Sequence, residues 1–188
     1  ELRTFVNVSH EEGVIESDER QIINNLFDFG DAEAKDVMIP RIDMVAADIT
    51  TGYDEILALF RETMYSRIPV YEEEQDNVVG ILYHKDFYNY VNNSDMTIRE
   101  AVKPVLFTTK HKNISELLKE LQVKHMHIAV IVDEFGCTVG ILTLEDILEE
   151  LVGEIWDEHD EVVREVEPLS ENVYRVSGKT NVERLFES

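Results

Sequence analysis

The sequence predicts an α+β fold made of two copies of one β-α-β-β-α unit behind a helical N-terminal lead-in. Three observations carry this. Residues 78–86 (Val-Val-Gly-Ile-Leu-Tyr-His-Lys-Asp) return as residues 138–146 (Thr-Val-Gly-Ile-Leu-Thr-Leu-Glu-Asp), so Gly80 matches Gly140 and Asp86 matches Asp146 at an offset of 60. The same offset lays Arg67-Ile68-Pro69-Val70 on His127-Ile128-Ala129-Val130. Each copy also alternates short apolar runs, as buried strands require, with a stretch of helical periodicity.

Taken in order, residues 1–12 are polar and read as a frayed end. From Ser17, the spacing of Ile22, Ile23, Leu26 and Phe27 predicts an amphipathic helix, with Ser17 or Asp18 near its N-cap and Gly30 as its stop. Asp31 is placed to cap a second short helix through Val37, which Pro40 ends. Residues 1–39 thus form a helical lead-in from something upstream. The first copy, 40–95, opens with the apolar segment Met44-Val45-Ala46 and continues with a helix over Asp54–Met64. Thr97 and Ile98 to Val102 make a small helical linker at the start of the second copy, 96–152. That copy runs through Val105-Leu106-Phe107, a helix over Ile114–Val123, an apolar strand Ile128 to Val132 and the turn Asp133-Glu134-Phe135-Gly136. Its last strand ends near Leu142, and Leu144, Ile147, Leu148, Leu151 and Val152 set the closing helix. A unit of about 50 residues buries too little surface to stand alone easily, so the copies should pack on each other.

Composition narrows the function. Of 188 residues 44% are hydrophobic, enough for a real core, and 17 Lys plus Arg against 40 Asp plus Glu give a formal charge of −23. A nucleic-acid partner is excluded, because no sizeable basic patch is expected. The single cysteine, Cys137, permits no internal disulfide and no thiolate zinc site; it sits in a predicted turn, with a structural role. No run approaches the ~18 apolar residues of a membrane span. The chain opens at Glu1 and stops at Ser188 inside an apolar pattern, which reads as a fragment of a longer protein.

The candidate chemistry lies where strand meets helix. A helix start carries free N–H groups and the positive end of the macrodipole, so it can hold an anion. Thr143 adds a hydroxyl there, and Asp146, one turn on, a carboxylate suited to two vicinal sugar hydroxyls; phosphate donors beside a ribose acceptor suggest a nucleotide. Thr-x-x-Asp is equally a capping box, in which each side chain bonds the other's backbone N–H. Arg67, at the start of a strand, is placed to reach phosphates or to pair with a surface carboxylate. His125 and His127 alternate but have no third ligand in view, so structural roles are expected. Arg41, after Pro40, reads as a loop ion pair. Ser177-Gly178-Lys179-Thr180 lacks the first glycine of a P-loop, since Val173 stands in its place. The acidic run Asp157–Glu161 lacks calcium-loop spacing. No nucleophile–base arrangement stands out, and an enzyme is not expected.

The pattern over residues 40–152 resembles a tandem cystathionine-β-synthase (CBS) domain pair. The resemblance rests on Ser66-Arg67-Ile68-Pro69-Val70-Tyr71, the two Gly-Ile-Leu turns, and Thr143-x-x-Asp146 in register with Asp86. The flanks Asp36-Val37-Met38-Ile39-Pro40-Arg41 and Glu145-Asp146-Ile147-Leu148-Glu149-Glu150-Leu151-Val152-Gly153-Glu154-Ile155 look like the CorC/HlyC family of membrane-anchored magnesium and cobalt efflux proteins, related to the cyclin M transporters. The resemblance implies a regulatory, non-catalytic module on the cytoplasmic side of the membrane, following a membrane domain of the same chain and pairing as a homodimer. It makes residues 153–188 a linker and the truncated start of a transporter-associated C-terminal domain. It implies an adenine nucleotide, AMP or ATP, alone or with Mg²⁺, in the cleft between the repeats. There Thr143 would meet phosphate or ribose, Asp146 the ribose hydroxyls, and the backbone of Ile128, Ala129 and Val130 the adenine. In the first copy Tyr83 replaces the expected Thr although Asp86 is kept, which puts that cleft in doubt. Two alternatives stand beside this one: a ligand-free dimerisation module, and an accessory domain of a metabolic enzyme.

Overall fold

The computed structural model describes residues 2–92, 97–153, 166–170 and 173–176. The chain divides into two compact units, Glu1–Gly153 and Glu154–Ser188. In the second unit the described residues form an antiparallel pair, Val166–Ser170 with Val173–Val176. The P-loop-like segment, the acidic run and most of the expected C-terminal domain lie outside the described residues.

The first unit holds the two repeats. In the first copy, β2 (Ala47–Asp48), α4 (Tyr53–Thr63), β3 (Arg67–Tyr71), β4 (Val78–Tyr83) and α5 (His84–Asn92) follow one another, with the strands in the order β2-β3-β4. In the second copy the corresponding run is β5 (Leu106–Thr109), α7 (Ile114–Lys124), β6 (Ile128–Val132), β7 (Thr138–Thr143) and α8 (Leu144–Val152). In both copies the first strand joins the second in parallel and the last two form a hairpin. Both α4 and α7 stop on a residue in the left-handed conformation, Met64 (φ 56°) and His125 (φ 53°). That leaves the chain turned back toward the next strand.

The copies differ where their sequences do. β5 and β6 share four rungs, from Leu106↔Ala129 to Thr109↔Val132, whereas β2 and β3 share two, Ala47↔Val70 and Asp48↔Tyr71. Pro69 takes the place of Ala129 and has no N–H to offer, so the parallel ladder starts one residue later. The strand expected over Met44-Val45-Ala46 therefore forms at Ala47–Asp48, and Met44 is buried between the repeats.

The lead-in is mostly helical. Residues 2–11, expected to fray, form helix α1, followed by α2 (Ser17–Phe29) and α3 (Ala34–Val37). Val6 and Ser9 of α1 are buried, and Arg3 pairs with Asp28 of α2, so α2 holds α1 in place. The caps also shift from the expected residues: Glu16 and Glu33 close capping boxes with Glu19 and Asp36.

Above all, the lead-in docks on the second copy. Phe29 and Ala34 are buried in one cluster with Leu106, Ile114, Leu117, Leu121, Leu142 and Ile147. Asn113 caps α7 and donates 2.7 Å to the carbonyl of Gly30, and Ala34 N donates 2.8 Å to Lys112 O. β1 (Ile39–Pro40) then joins the sheet edge at β7, giving the order β1-β7-β6-β5. The linker helix α6 (Ile98–Ala101) makes the converse move: Ile98 and Ala101 are buried in the first copy's core with Ile56, Phe60, Ile68 and Phe87. Lys103 bridges to Ile81 of β4 by two backbone hydrogen bonds of 2.8 and 2.9 Å. Each copy is thus completed by the segment that precedes the other.

Both repeat glycines are explained by this exchange. A Cβ on Gly80 would stand 2.5 Å from Lys103 O, and one on Gly140 would overlap the carbonyl oxygen of Ile39. Where a second backbone crosses at that distance only glycine fits. A third cluster joins the copies, with Met44, Val78 and Ile81 on one side and Ile128, Val130 and Ile141 on the other. Each such buried aliphatic side chain contributes about 1.5–3 kcal/mol relative to exposure, which explains why neither copy is built to stand alone.

Candidate functional site

At the start of α8, Thr143 is the N-cap. Its hydroxyl accepts from Asp146 N (3.1 Å), and Asp146 Oδ2 accepts from Thr143 N (2.8 Å). The predicted capping box is therefore formed. It occupies one carboxylate oxygen; among the described residues Oδ1 and the Thr143 hydroxyl proton have no partner, and both residues are partly exposed. Leu144 N donates to His127 O (2.9 Å), so the helix start is fastened to the start of β6.

Arg67 lies across from this point. It stands at the start of β3, facing Tyr83, and its Nη1 donates 3.3 Å to Glu145 Oε1, the residue beside Asp146. Its Nε is buried and has no hydrogen-bond partner among the described residues. The guanidinium is thus held between the repeats with its buried Nε donor uncommitted.

The three strand residues divide. Ile128 and Val130 turn their side chains into the cluster between the copies, while Ala129 points into the second copy's own core. β6 lies between β5 and β7, and Ala129 and Val130 have ladder partners on both sides; Ile128 has one only across from Thr143. Of the three, Ile128 therefore has the backbone best placed to meet a ligand.

Asp86 belongs to a different cleft. A cavity of about 780 Å³ opens between the first copy's strand ends and the second copy's α7–β6 corner. It is lined by Ser66, Arg67, Tyr83, Lys85, Asp86 and Lys103, among others, with Lys124, His125 and His127 from the second copy. Thr143 and Asp146 are not in that lining; Arg67 reaches both sides. Unlike Asp146, Asp86 makes no side-chain hydrogen bond among the described residues, and it lies in the first turn of α5. Lys85 Nζ lies 5.7 Å from the Tyr83 ring centroid, over the residue that replaces the threonine.

The cationic lining was not legible in the sequence. Lys85, Lys103 and Lys124 are far apart in the chain, and only the exchange of lead-in segments brings Lys103 beside β4. His125 and His127 do share a face of the structure, but no group of three or more His, Cys, Asp or Glu able to hold a metal occurs among the described residues. Arg41 lies outside this cavity's lining; its Nη1 donates to Thr138 O (3.3 Å) and lies 3.8 Å from Asp76 Oδ2, the loop pair expected of it. Burial and the neighbouring Asp133 push the Cys137 thiol up, which keeps it protonated and suits a structural role.

Two pseudo-symmetric β-α-β-β-α units, each completed by the other's lead-in and enclosing clefts between them, define a tandem-repeat module. The chain belongs to the CBS domain family, whose profile matches residues 34–93 and 97–153. It is 36% identical over 186 residues to the magnesium and cobalt efflux protein CorC of Vibrio cholerae, covering 97% of this chain and 64% of that protein. It is 37% identical over 195 residues to a UPF0053 protein of Mycobacterium bovis, covering all of this chain and 44% of the relative. The chain thus spans less than half the length of the mycobacterial relative. Among solved structures, the CBS domain of the bacterial CNNM/CorC family Mg²⁺ transporter superposes with a TM-score of 0.75 at 36% identity, over 83% of this chain and 96% of that one. The same domain in complex with ATP gives 0.68 at 39% identity, over 73% and 99%. No helix among the described residues is long and apolar enough to cross a membrane.

Proposed function

We propose that this chain is the regulatory module of a divalent-cation (Mg or Co) transport protein, sensing an adenine nucleotide at the second cleft. The observation that carries this is the Thr143–Asp146 pair at the start of α8, which leaves a carboxylate oxygen and a hydroxyl free beside Arg67. A similar domain solved with ATP supports the choice of ligand. In this reading Asp146 Oδ1 takes the ribose hydroxyls, Thr143 a ribose or phosphate oxygen, the backbone at Ile128 the adenine, and Arg67 exchanges Glu145 for phosphate. Mg²⁺ accompanies the nucleotide and offsets its charge against an acidic body. The module lies on the cytoplasmic side of the membrane, follows a membrane domain of the same chain, and pairs as a homodimer.

The lead-in gives a route for the signal. α2, α3 and β1 are packed on the copy that carries Thr143 and Asp146, so a ligand that favours one placement of α8 also favours one placement of the lead-in. Asn25 of α2, whose side chain donates 3.4 Å to Leu151 O of α8, is one such contact.

Calorimetric titration of ATP and of AMP, each with and without Mg²⁺, tests the reading. Thr143→Ala with Asp146→Ala should abolish binding, while Asp146→Asn, which keeps an acceptor for the cap, should weaken it and leave the fold intact. At a hundredfold excess over Kd, nucleotide should stabilise the protein by about 2.7 kcal/mol. Unchanged binding in the double variant would move the site elsewhere. No heat from either nucleotide would favour the second reading, a ligand-free dimerisation module, for which the closed capping box is a sufficient account of Thr143 and Asp146.

A further inference from the structure

We infer that a second, smaller cavity along the linker, where the cores of the two copies part, is a site for a small carboxylate with an apolar body. Ile49, Val79 and Val102 pack on the edge of the first copy's core, and Val105 packs on the cluster between the copies. The cavity they line has a volume of about 270 Å³ and is lined also by Phe107 of β5. Phe107 is 47% exposed, an aromatic ring that the fold itself leaves uncovered. This is not the cavity at Asp86. The two linings share Lys103 and Pro104 alone; Val79 lies at the start of β4 and Tyr83 at its end, and no residue of α5 or α8 takes part.

The lining states the chemistry of the occupant. Six of its eight residues are apolar, and the other two are Arg99 and Lys103. Among the described residues no Asp or Glu lines it, in a chain that carries 40 of them. Arg99 pairs with Glu72 at the surface, where both side chains are well exposed. Lys103 makes no ion pair among the described residues, yet its backbone is fixed by the two hydrogen bonds to Ile81. A cation on a held backbone is a prepared anchor for an anionic head, since little freedom is lost when the head arrives. The apolar walls offer water few partners, so an apolar body that displaces it gains the hydrophobic term.

Size sets the class. An apolar cavity of about 150 Å³ takes benzene, so this one has room for a phenyl ring or a branched chain with a short acid tail. It has about a third of the volume of the cavity at Asp86. Such an occupant touches the linker and the edge of the first copy's core on one side and β5 on the other. It therefore favours the closed arrangement of the two copies.

The test titrates three probes of one shape, phenylpropionate, its amide and phenylpropylamine, into the chain and follows the methyl NMR signals. The acid should shift the methyls of Ile49, Val79, Val102 and Val105, and should bind about tenfold more tightly than the amide or the amine. Lys103→Gln should bring the acid down to the level of the amide, and Phe107→Ala should weaken it about tenfold. Both side chains are exposed, so these variants should keep the native melting temperature, and Lys103→Arg should keep part of the affinity. Lys85→Gln, and Thr143→Ala with Asp146→Ala, should leave the affinity unchanged, which separates this site from the clefts at the two helix starts. Methyl shifts that are absent or confined to the surroundings of Asp86 or Thr143, equal affinity for the three probes, or an affinity indifferent to Lys103→Gln would overturn the inference. None of these results bears on the nucleotide reading of the second cleft.

Discussion

Gly140→Ala offers the most direct challenge to the exchanged lead-in. The added methyl would overlap the Ile39 carbonyl oxygen and stand 3.1 Å from Met38 Sδ and 3.3 Å from Ile39 C. The sulfur can swing away, but the carbonyl belongs to a strand paired at Ile39↔Ile141 and Pro40↔Gly140. To reach ordinary contact β1 must retreat by on the order of 1 Å, which breaks that pairing. Overpacking of about 1–3 kcal/mol and about 1 kcal/mol for a lost backbone hydrogen bond together give a destabilisation of roughly 2–4 kcal/mol. In a unit of this size that lowers the melting temperature by about 5–15 °C. Urea denaturation followed by circular dichroism measures the loss, and hydrogen exchange shows where it falls: protection should drop in α2, α3 and β1 before the second copy's central strands. Gly30→Ala is the control. Gly30 is right-handed helical (φ −61°) and its new methyl would find only Phe27 O at 3.6 Å, so the change should be neutral or stabilising by about 0.4–1 kcal/mol. A Gly140→Ala cost below about 1 kcal/mol, or exchange unchanged in the lead-in, would refute the packing of β1 on β7.

Two further outcomes are expected. Asn113→Ala removes both the α7 cap and the donor to Gly30 O, and should cost about 1–2 kcal/mol in the same denaturation experiment; a change within 0.5 kcal/mol would mean that the tie contributes nothing. Glu33 has its carboxyl held below the ordinary value first by a hydrogen bond from Lys35 and then by His111. A depressed folded pKa contributes stability that is fully present above the ordinary carboxylate value and lost as pH falls through the folded one. Glu33→Gln should therefore flatten the acid side of the stability–pH profile below the ordinary carboxylate range and leave its slope near neutrality alone. An unchanged acid limb would show that the exposed pair contributes nothing measurable.

How much of this was readable in advance depends on the distance over which each feature is fixed. The repeat, its five-element order and the helix start at Thr143 are local matters. They follow from apolar spacing, from turn residues such as Gly136 at φ 84°, and from the cap chemistry of Thr143 and Asp146. The family resemblance rests on the same short motifs. Arg67 and Asp86 were singled out by their place in the repeat, without any way to tell that they share a cavity from which Thr143 is absent. What the tertiary structure decided is which segment completes which copy. α3 and β1 close the second sheet while α6 and Lys103 close the first, and nothing in a sequence period separates that exchange from the direct arrangement. The exchange turns Gly80 and Gly140 from turn residues into backbone crossings, and ties the lead-in to the copy bearing the candidate nucleotide grip. It also gathers Lys85, Lys103 and Lys124 into the lining of one cavity in an acidic protein. Local pattern fixed the elements because each answers to its own neighbours; the clefts are made of residues that meet only when the whole chain has closed.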